Sequence, residues 1–518
     1  MTIPARIREI PAQRPDGVFC TFVRGSREER ITFAELLERS AGYAAAYGAM
    51  GVKPGDVVII ILQHTPHLFY SQVGAMLAGA IPSFMPFPTP KQRPDLYWAD
   101  HDALFKRIEP KLMVTYEENL AAARQALGEV RIPVLIAGDG VFSGHGNAAR
   151  DLPAVDASPD DVVCLQHSSG TTSLKKGVML THRAVLNEID AYAKALGFGP
   201  NDSIASWLPL YHDMGFVACF MTSLVFGTHL VALDPFEWVM RPTMLLDAVE
   251  RHRTTHCWLP NFAFSHIAGG ARPDRSWDLS SMRAFVNCSE PAKPKTFERF
   301  LARFERDGVS AQQLQVCYAM AENVFAVTQT KPGRSVQVLH ARSDDFARGQ
   351  VRAAEPGAPA IAFLSCGSPV EGVTVEVLDA SGAALPEGSV GEIHLRSSFL
   401  FSGYYKLPRE TRRKLRDGLY ATGDMGFTRD GELYVTGRRD DMLIVNGQNY
   451  YAHEIEAIAN DRPSVVAGRT VAIATDEQAS DATAVVLLAE CKPGFDAAGV
   501  TVDIRRSVLE QIGLAIHD

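Results

Sequence analysis

Apolar positions in residues 32–50 recur at helical spacing (Phe33, Leu36, Leu37, Tyr43, Ala44, Tyr47), and Gly51 stands where a helix ends on positive φ. That pattern predicts a helix. Val57-Val58-Ile59-Ile60-Ile61-Leu62 follows as an unbroken apolar run, which reads as a strand buried on both faces. Residues 67–80 return to helical spacing. The proline-punctuated residues 82–90 are expected to form an extended loop, since proline neither continues a helix nor donates within a central strand. The alternation of strand and helix predicts an α/β architecture with helices packed on sheets.

Further along, residues 331–362 lose periodicity and gather charge, glycine and proline, as expected of a long surface excursion without regular structure. Residues 373–378 and 391–395 alternate as short strands between Gly/Pro turns, predicting a β-rich subdomain. Residues 433–435 and 442–445 are further strand-like pieces. The charged stretch Gly437-Arg438-Arg439-Asp440-Asp441 between them marks a domain boundary, giving domains 1–439 and 440–518. The second reads helix (452–460), strand (470–474), strand (483–488), helix (502–511), a small α+β unit. Leu514-Ala515-Ile516-His517 resembles the start of a strand with no successor, so this unit is expected to be incomplete.

Composition narrows the function classes. A chain of 518 residues, 46% hydrophobic and 21% charged, has room for two to four units around a core, and disorder, collagen and coiled coil are excluded. A net charge of −9 argues against a main role in coating nucleic acid or anionic membrane. The eight cysteines include no C-x-x-C pair, so neither a zinc cluster nor a disulfide framework is expected, and a reduced, cytoplasmic setting fits. No apolar run approaches the length of a membrane span, and the first 25 residues lack the apolar core of a signal peptide.

The densest candidate chemistry is Ser168-Ser169-Gly170-Thr171-Thr172-Ser173-Leu174-Lys175-Lys176-Gly177, after a strand-like Val162-Val163-Cys164-Leu165-Gln166. Hydroxyls, glycines and lysines so close together offer N–H and O–H donors and positive charge to a polyphosphate. The order differs from G-x-x-x-x-G-K-[ST], and on this segment alone a phosphate loop and a solvated turn stand even. Three further segments stand out: Trp207-Leu208-Pro209-Leu210-Tyr211-His212-Asp213-Met214-Gly215, Cys317-Tyr318-Ala319-Met320-Ala321-Glu322 and Tyr420-Ala421-Thr422-Gly423-Asp424.

With these motifs in order, the chain resembles the adenylate-forming superfamily of acyl-CoA synthetases, luciferases and nonribosomal peptide adenylation domains over nearly its whole length. Within it, Pro260-Asn261-Phe262-Ala263-Phe264, Leu279-Ser280-Ser281-Met282-Arg283 and Asn287-Cys288-Ser289-Glu290-Pro291 are most similar to the fatty acyl-AMP ligases. The resemblance implies a large N-terminal AMP-binding domain, built of two sheets with helices and a β-barrel-like subdomain, and a small mobile C-terminal domain. It implies activation of a hydrophobic carboxylic acid by ATP and Mg²⁺, with pyrophosphate released. The acyl group then passes to a thiol, either the phosphopantetheine of an acyl carrier protein or coenzyme A. Residues 331–362 sit where those ligases carry an insertion associated with poor use of coenzyme A.

The resemblance also assigns roles. Ser169, Gly170, Thr171, Thr172, Ser173 and Lys176 would hold the phosphates, with Ser173 and Lys175 departing from the usual glycine and proline. Glu322 would ligate Mg²⁺, Tyr318 would stack on adenine, and Ser289, Glu290, Pro291, Ala319, Met320 and Ala321 would line the nucleotide. Asp424 would accept from the ribose hydroxyls, with Arg438 on their far side. His212 would face the attacking carboxylate, completing a catalytic set with Lys176 and Glu322, and Asp440 would be the hinge. After Asp440 the only lysine is Lys492, off the family's lysine motif. A second reading therefore stands beside the first: a degenerate relative that binds nucleotide or acyl ligand, or makes only the thioester. His252 and His256, four apart on an expected helix, lack a third metal ligand and are expected at the surface. Phe262, Phe264, Met221 and Leu224 suit either an acyl-pocket wall or plain core.

Overall fold

The computed structural model describes the chain except residues 15, 90–92, 128–131, 143–151, 153–154, 168–174, 359, 446–447, 477–482 and 517–518, and except the side chains of 444, 449, 474–476, 483 and 484. Its largest sheet has a parallel centre. Val18–Arg24, His229–Leu233, Ser203–Ser206, His256–Leu259, Ala284–Asn287 and Leu314–Ala319 lie side by side, all parallel. Antiparallel strands close both edges: Arg27–Thr32 at one, Ala326–Gln329 and Ser368–Pro369 at the other. His256–Leu259 and Ala284–Asn287 are buried at every position, because helices cover both faces of a parallel sheet.

A second, parallel sheet centres on Val57–Ile60, flanked by Ile81–Phe84 and by Leu112–Thr115 with Val134–Ile136 beyond. Helices Phe33–Ala49 and Pro66–Leu77 pack against each other in the core shared by the two sheets. Their approach requires a glycine: a Cβ at Gly74 would lie 2.6 Å from Tyr43 Cβ and 2.7 Å from the Ser40 carbonyl oxygen. A third sheet is antiparallel, formed by Val373–Leu378, Gly391–Ser397, Leu419–Arg429, Leu415–Arg416 and Glu432–Arg438. The mixed α/β class, the two helix-covered sheets and the β-rich subdomain are as the sequence predicts.

Residues beyond Asp440 carry a cluster of their own. Helices Ala452–Asn460 and Ala497–Ile512 pack on the hairpin Val465–Asp476 with Thr483–Cys491, burying Ile455, Val465, Val485 and Val508.

Several expectations need correction. The proline-rich segment is not all loop: Ile81–Phe84 is a strand, and Pro82 is tolerated because the strand lies at the sheet edge. Residues 331–362 are not structureless. Val338–Arg342 pairs with Ala360–Leu364, the helix Ser343–Ala347 follows the first strand, and Ala341, Phe346, Val351 and Phe363 are buried. Those apolar residues are too sparse to show a period, yet Phe346 meets the Tyr451 ring at 6.2 Å and Phe363 meets Phe427 at 5.8 Å. His252 and His256 do not share a helix, because Met244–His252 ends there, Arg253 turns left-handed at φ 53 and His256 begins a strand. Neither is a surface residue: His252 bonds Glu28 at 3.2 Å, and His256 is 1% exposed. Leu514, Ala515 and Ile516 form no strand, although Leu514 and Ile516 are buried.

Candidate active site

The parallel strands deliver their C-terminal ends to one side of the large sheet, and most of the singled-out motifs gather there. Tyr318 is next to last on Leu314–Ala319. Its hydroxyl donates to Asp424 Oδ2 at 2.5 Å, and Arg438 Nε lies 3.3 Å from Asp424 Oδ1. Asp424 and Arg438 are direct partners in the antiparallel ladder between Leu419–Arg429 and Glu432–Arg438. One carboxylate thus ties the parallel sheet to the barrel-like one. The Asp424 side chain is 13% exposed, and burial pushes its pKa up while Arg438 opposes.

Glu322 occupies the turn after this strand. Its Oε1 accepts from the Tyr404 hydroxyl at 2.7 Å, Tyr404 meets the Tyr420 hydroxyl at 3.3 Å, and the Glu322 carbonyl accepts from Phe401 N–H at 2.8 Å. Among the described residues no cation pairs with Glu322. A half-buried carboxylate among hydroxyls, with no counter-ion among the described residues, is a hard oxygen donor of the kind that suits Mg²⁺. The residues present fit the ion.

Lys176 lies close by. Its Nζ is 3.3 Å from Glu410 Oε2 and 5.2 Å from the Tyr404 ring centroid. Lys175 turns into the protein, where burial lowers its pKa, and its carbonyl accepts from Arg107. Ser169, Gly170, Thr171, Thr172 and Ser173 lie outside the described residues.

The segment after Ser203–Ser206 folds back sharply: a Cβ at Gly215 would sit 2.5 Å from the Pro209 carbonyl oxygen. Asp213 caps the π-helix Met214–Met221, accepting from Met214 N–H at 2.8 Å, and burial pushes its pKa up to about 6. Gln166 donates to the Tyr211 carbonyl at 3.0 Å, joining this segment to the strand that leads into the Ser/Thr-rich loop. His212 keeps an accessible ring, but the recess around it and the Lys175 charge push its pKa down to about 4. It is a neutral imidazole at pH 7.

Ser289 has φ 71, and its hydroxyl reaches Met214 Sδ at 3.8 Å; Glu290 accepts from Phe262 N–H at 3.0 Å. Pro291 follows, and Ala319, Met320 and Ala321 lead from Tyr318 to Glu322. The structure thus brings Tyr318, Glu322, Asp424 and Arg438 together, with Lys176 joined to Glu322 through Tyr404. Asp440 stands apart, 91% exposed at its side chain in the short helix Arg439–Asp441. Phe264, Met221 and Leu224 are core: Phe264 packs on Phe297 and Phe300, and the other two are at most 1% exposed. Phe262 is 48% exposed and lies 6.1 Å from the Trp207 ring.

Sequence reasoning named Tyr420 only as part of its segment, without a role, although Tyr420, Thr422 and Asp424 alternate on one strand. It missed Tyr404 and Glu410, which carried no signal.

The AMP-binding enzyme family matches residues 7–405 of this chain. The medium-chain-fatty-acid–[acyl-carrier-protein] ligase JamA of Moorena producens is 30% identical over 70% of this chain, which spans 64% of that protein's length. A long-chain-fatty-acid–AMP ligase of Mycobacterium tuberculosis is 26% identical over 100% of this chain and 92% of its own. A crystal structure of the fatty acyl-adenylate ligase from Legionella pneumophila, in complex with acyl adenylate and pyrophosphate, superposes with a TM-score of 0.81. It is 26% identical and covers 100% of this chain and 91% of that one.

Proposed function

We propose that this chain, which belongs to the AMP-binding enzyme family, joins a hydrophobic carboxylic acid to AMP and passes the acyl group to a thiol. The observation that supports the reading is the Tyr318–Asp424–Arg438 chain beside Glu322, an aromatic ring and two carboxylates gathered at one sheet end. The relatives named for fatty-acid ligation to AMP and to acyl carrier protein support a fatty acid as substrate and a carrier protein as acceptor. Coenzyme A is the alternative acceptor.

The first obstacle is that a carboxylate must reach a polyanion. Lys176 and the Ser/Thr-rich loop bind the outer phosphates, and Lys176 must leave Glu410 to do so. Mg²⁺, held by Glu322 and the nucleotide, supplies charge neutralisation when bound. Tyr318 and the Ser289-Glu290-Pro291 backbone bound the adenine slot, and Asp424 and Arg438 fix the ribose. His212, neutral at pH 7, offers a hydrogen bond to the acid without fixing its carboxylate in an ion pair. Residues 440–518 form the unit that re-orients about Asp440 between the two half-reactions, inside the cell. Among the described residues no helix is long and apolar enough to cross a membrane.

The test is acid-dependent ATP–pyrophosphate exchange across a panel of acids with Mg²⁺. No exchange with any acid sinks the proposal. The alternative is a relative that makes only the thioester. Supplying a preformed acyl adenylate separates the two, because only the half-enzyme makes thioester from it while failing with acid and ATP.

A further inference from the structure

Glu188 lies midway along the helix His182–Leu196 and is 0% exposed. Its Oε1 accepts the Ala326 N–H at 2.9 Å, and its Oε2 is buried without a hydrogen-bond partner. Asn323, equally buried, donates its side-chain amide to the Ala326 carbonyl at 2.7 Å. Both backbone polar groups of Ala326 are therefore held by side chains.

The chain just before Ala326 reverses under strain. Phe325 N–H donates to the Asn323 carbonyl at 2.7 Å across Val324, whose φ is 64 and ψ −61. This is a γ-turn in its rare positive-φ form, on a β-branched residue. Such a conformation persists only where its surroundings over-determine it. Glu322 sits at the head of this reversal.

We propose that Glu188 is a positioning residue for adenylation: with Asn323 it clamps Ala326, and the clamp holds the strained Val324 turn that aims the Glu322 carboxylate. The inference rests on the assignment of Glu322 to the metal-bound phosphates.

The clamp sits in a pocket that disfavours charge on its carboxyl. Burial pushes the Glu188 pKa up from 4.5 to about 8, the Ala326 N–H opposing it only in part. The titratable groups near it are Cys317 on the adjoining strand and Tyr192 one turn on in its own helix, both pushed up by burial. At pH 7 Glu188 is neutral and accepts at Oε1. Above about 8 it becomes an unpaired buried anion.

The experiment follows acid-dependent pyrophosphate exchange from neutral pH to well above 8, at several Mg²⁺ concentrations, in wild type, Glu188→Gln and Glu188→Ala. Gln keeps the shape, the acceptor and a donor but cannot ionise. It is expected to hold neutral-pH activity and to lose the alkaline fall. Glu188→Ala is expected to lower exchange about tenfold through misplacement of Glu322, and to raise the Mg²⁺ needed for half-maximal rate. Val324→Gly, which takes positive φ without strain, is expected to restore part of that loss.

Thermal unfolding of the ligand-free chain supplies a readout apart from activity. Between 4.5 and about 8 the unfolded carboxyl is ionised and the native one is not, so wild type loses stability with rising pH relative to Glu188→Gln. An unchanged alkaline fall in Glu188→Gln, or an unchanged Mg²⁺ requirement in Glu188→Ala, overturns the inference. If no acid supports exchange the enzymatic reading fails instead, and the unfolding difference still decides whether the buried carboxyl is neutral.

Discussion

Lys176 Nζ stands 3.3 Å from Glu410 Oε2, so the cation that follows the Ser/Thr-rich segment is engaged by a carboxylate. The two side chains are 23% and 33% exposed, and a pair that open to water is worth at most about 1 kcal/mol. Under the proposed function a triphosphate would outcompete it. Glu410→Gln is therefore expected to lower the KM for ATP by no more than about fivefold. Lys176→Ala should reduce pyrophosphate exchange about a hundredfold or more, as loss of a charge-stabilising donor does. ATP-dependence of exchange in the two variants measures both.

Tyr318→Phe removes the hydroxyl that serves Asp424 Oδ2. Leaving a buried carboxylate oxygen short of a donor costs about 1–3 kcal/mol, so the KM for ATP should rise roughly tenfold with the ring's stacking kept. An Asp424→Asn variant should lose more, because the amide cannot accept from two hydroxyls at both of its positions. Titration of ATP at saturating acid reads the difference.

The pH profile of adenylation should show no limb at the ordinary histidine value. His212 titrates at about 4, because its recess and the Lys175 charge disfavour the imidazolium. It stays neutral throughout the working range. NMR of the assigned His212 ring should accordingly show no titration between neutral pH and mildly acid pH. A midpoint near 6.5, the group's ordinary value, would contradict this account.

Gly74→Ala is a test of the core rather than of the site. The new methyl would meet Tyr43 Cβ at 2.6 Å and the Ser40 carbonyl oxygen at 2.7 Å, with the Ala44 backbone nitrogen 3.2 Å away. Overpacking of this kind costs about 1–3 kcal/mol, read as a lower denaturant midpoint. Pyrophosphate exchange by the folded fraction should be unchanged.

Much of this was legible in the residues. The run at Val57 and the spacing around Leu36 announce a buried strand and an amphipathic helix because burial imposes period on sequence. The site's motifs were legible as clusters of polar and aromatic residues, but their meeting was not. Asp424 and Tyr318 lie over a hundred residues apart, and only the antiparallel sheet's ladder against Arg438 brings them together. Residues 331–362 were misread because their few aromatics pack against Tyr451 and Phe427, partners remote in sequence, and leave no local period. Glu188 was invisible for a related reason: one carboxylate on a helix face carries no mark of the backbone it will clamp.

The packing of Phe346 on Tyr451, with Phe363 behind it, has a calorimetric consequence. The terminal unit shares those rings with the hairpin, and Ser343 also donates to the Gln511 carbonyl at 3.1 Å. Any swing of residues 440–518 that parts them wets aromatic surface and raises the heat capacity of the open form. Apolar contacts weaken on cooling, so the cold, rather than warmth, should enrich the swung-out population.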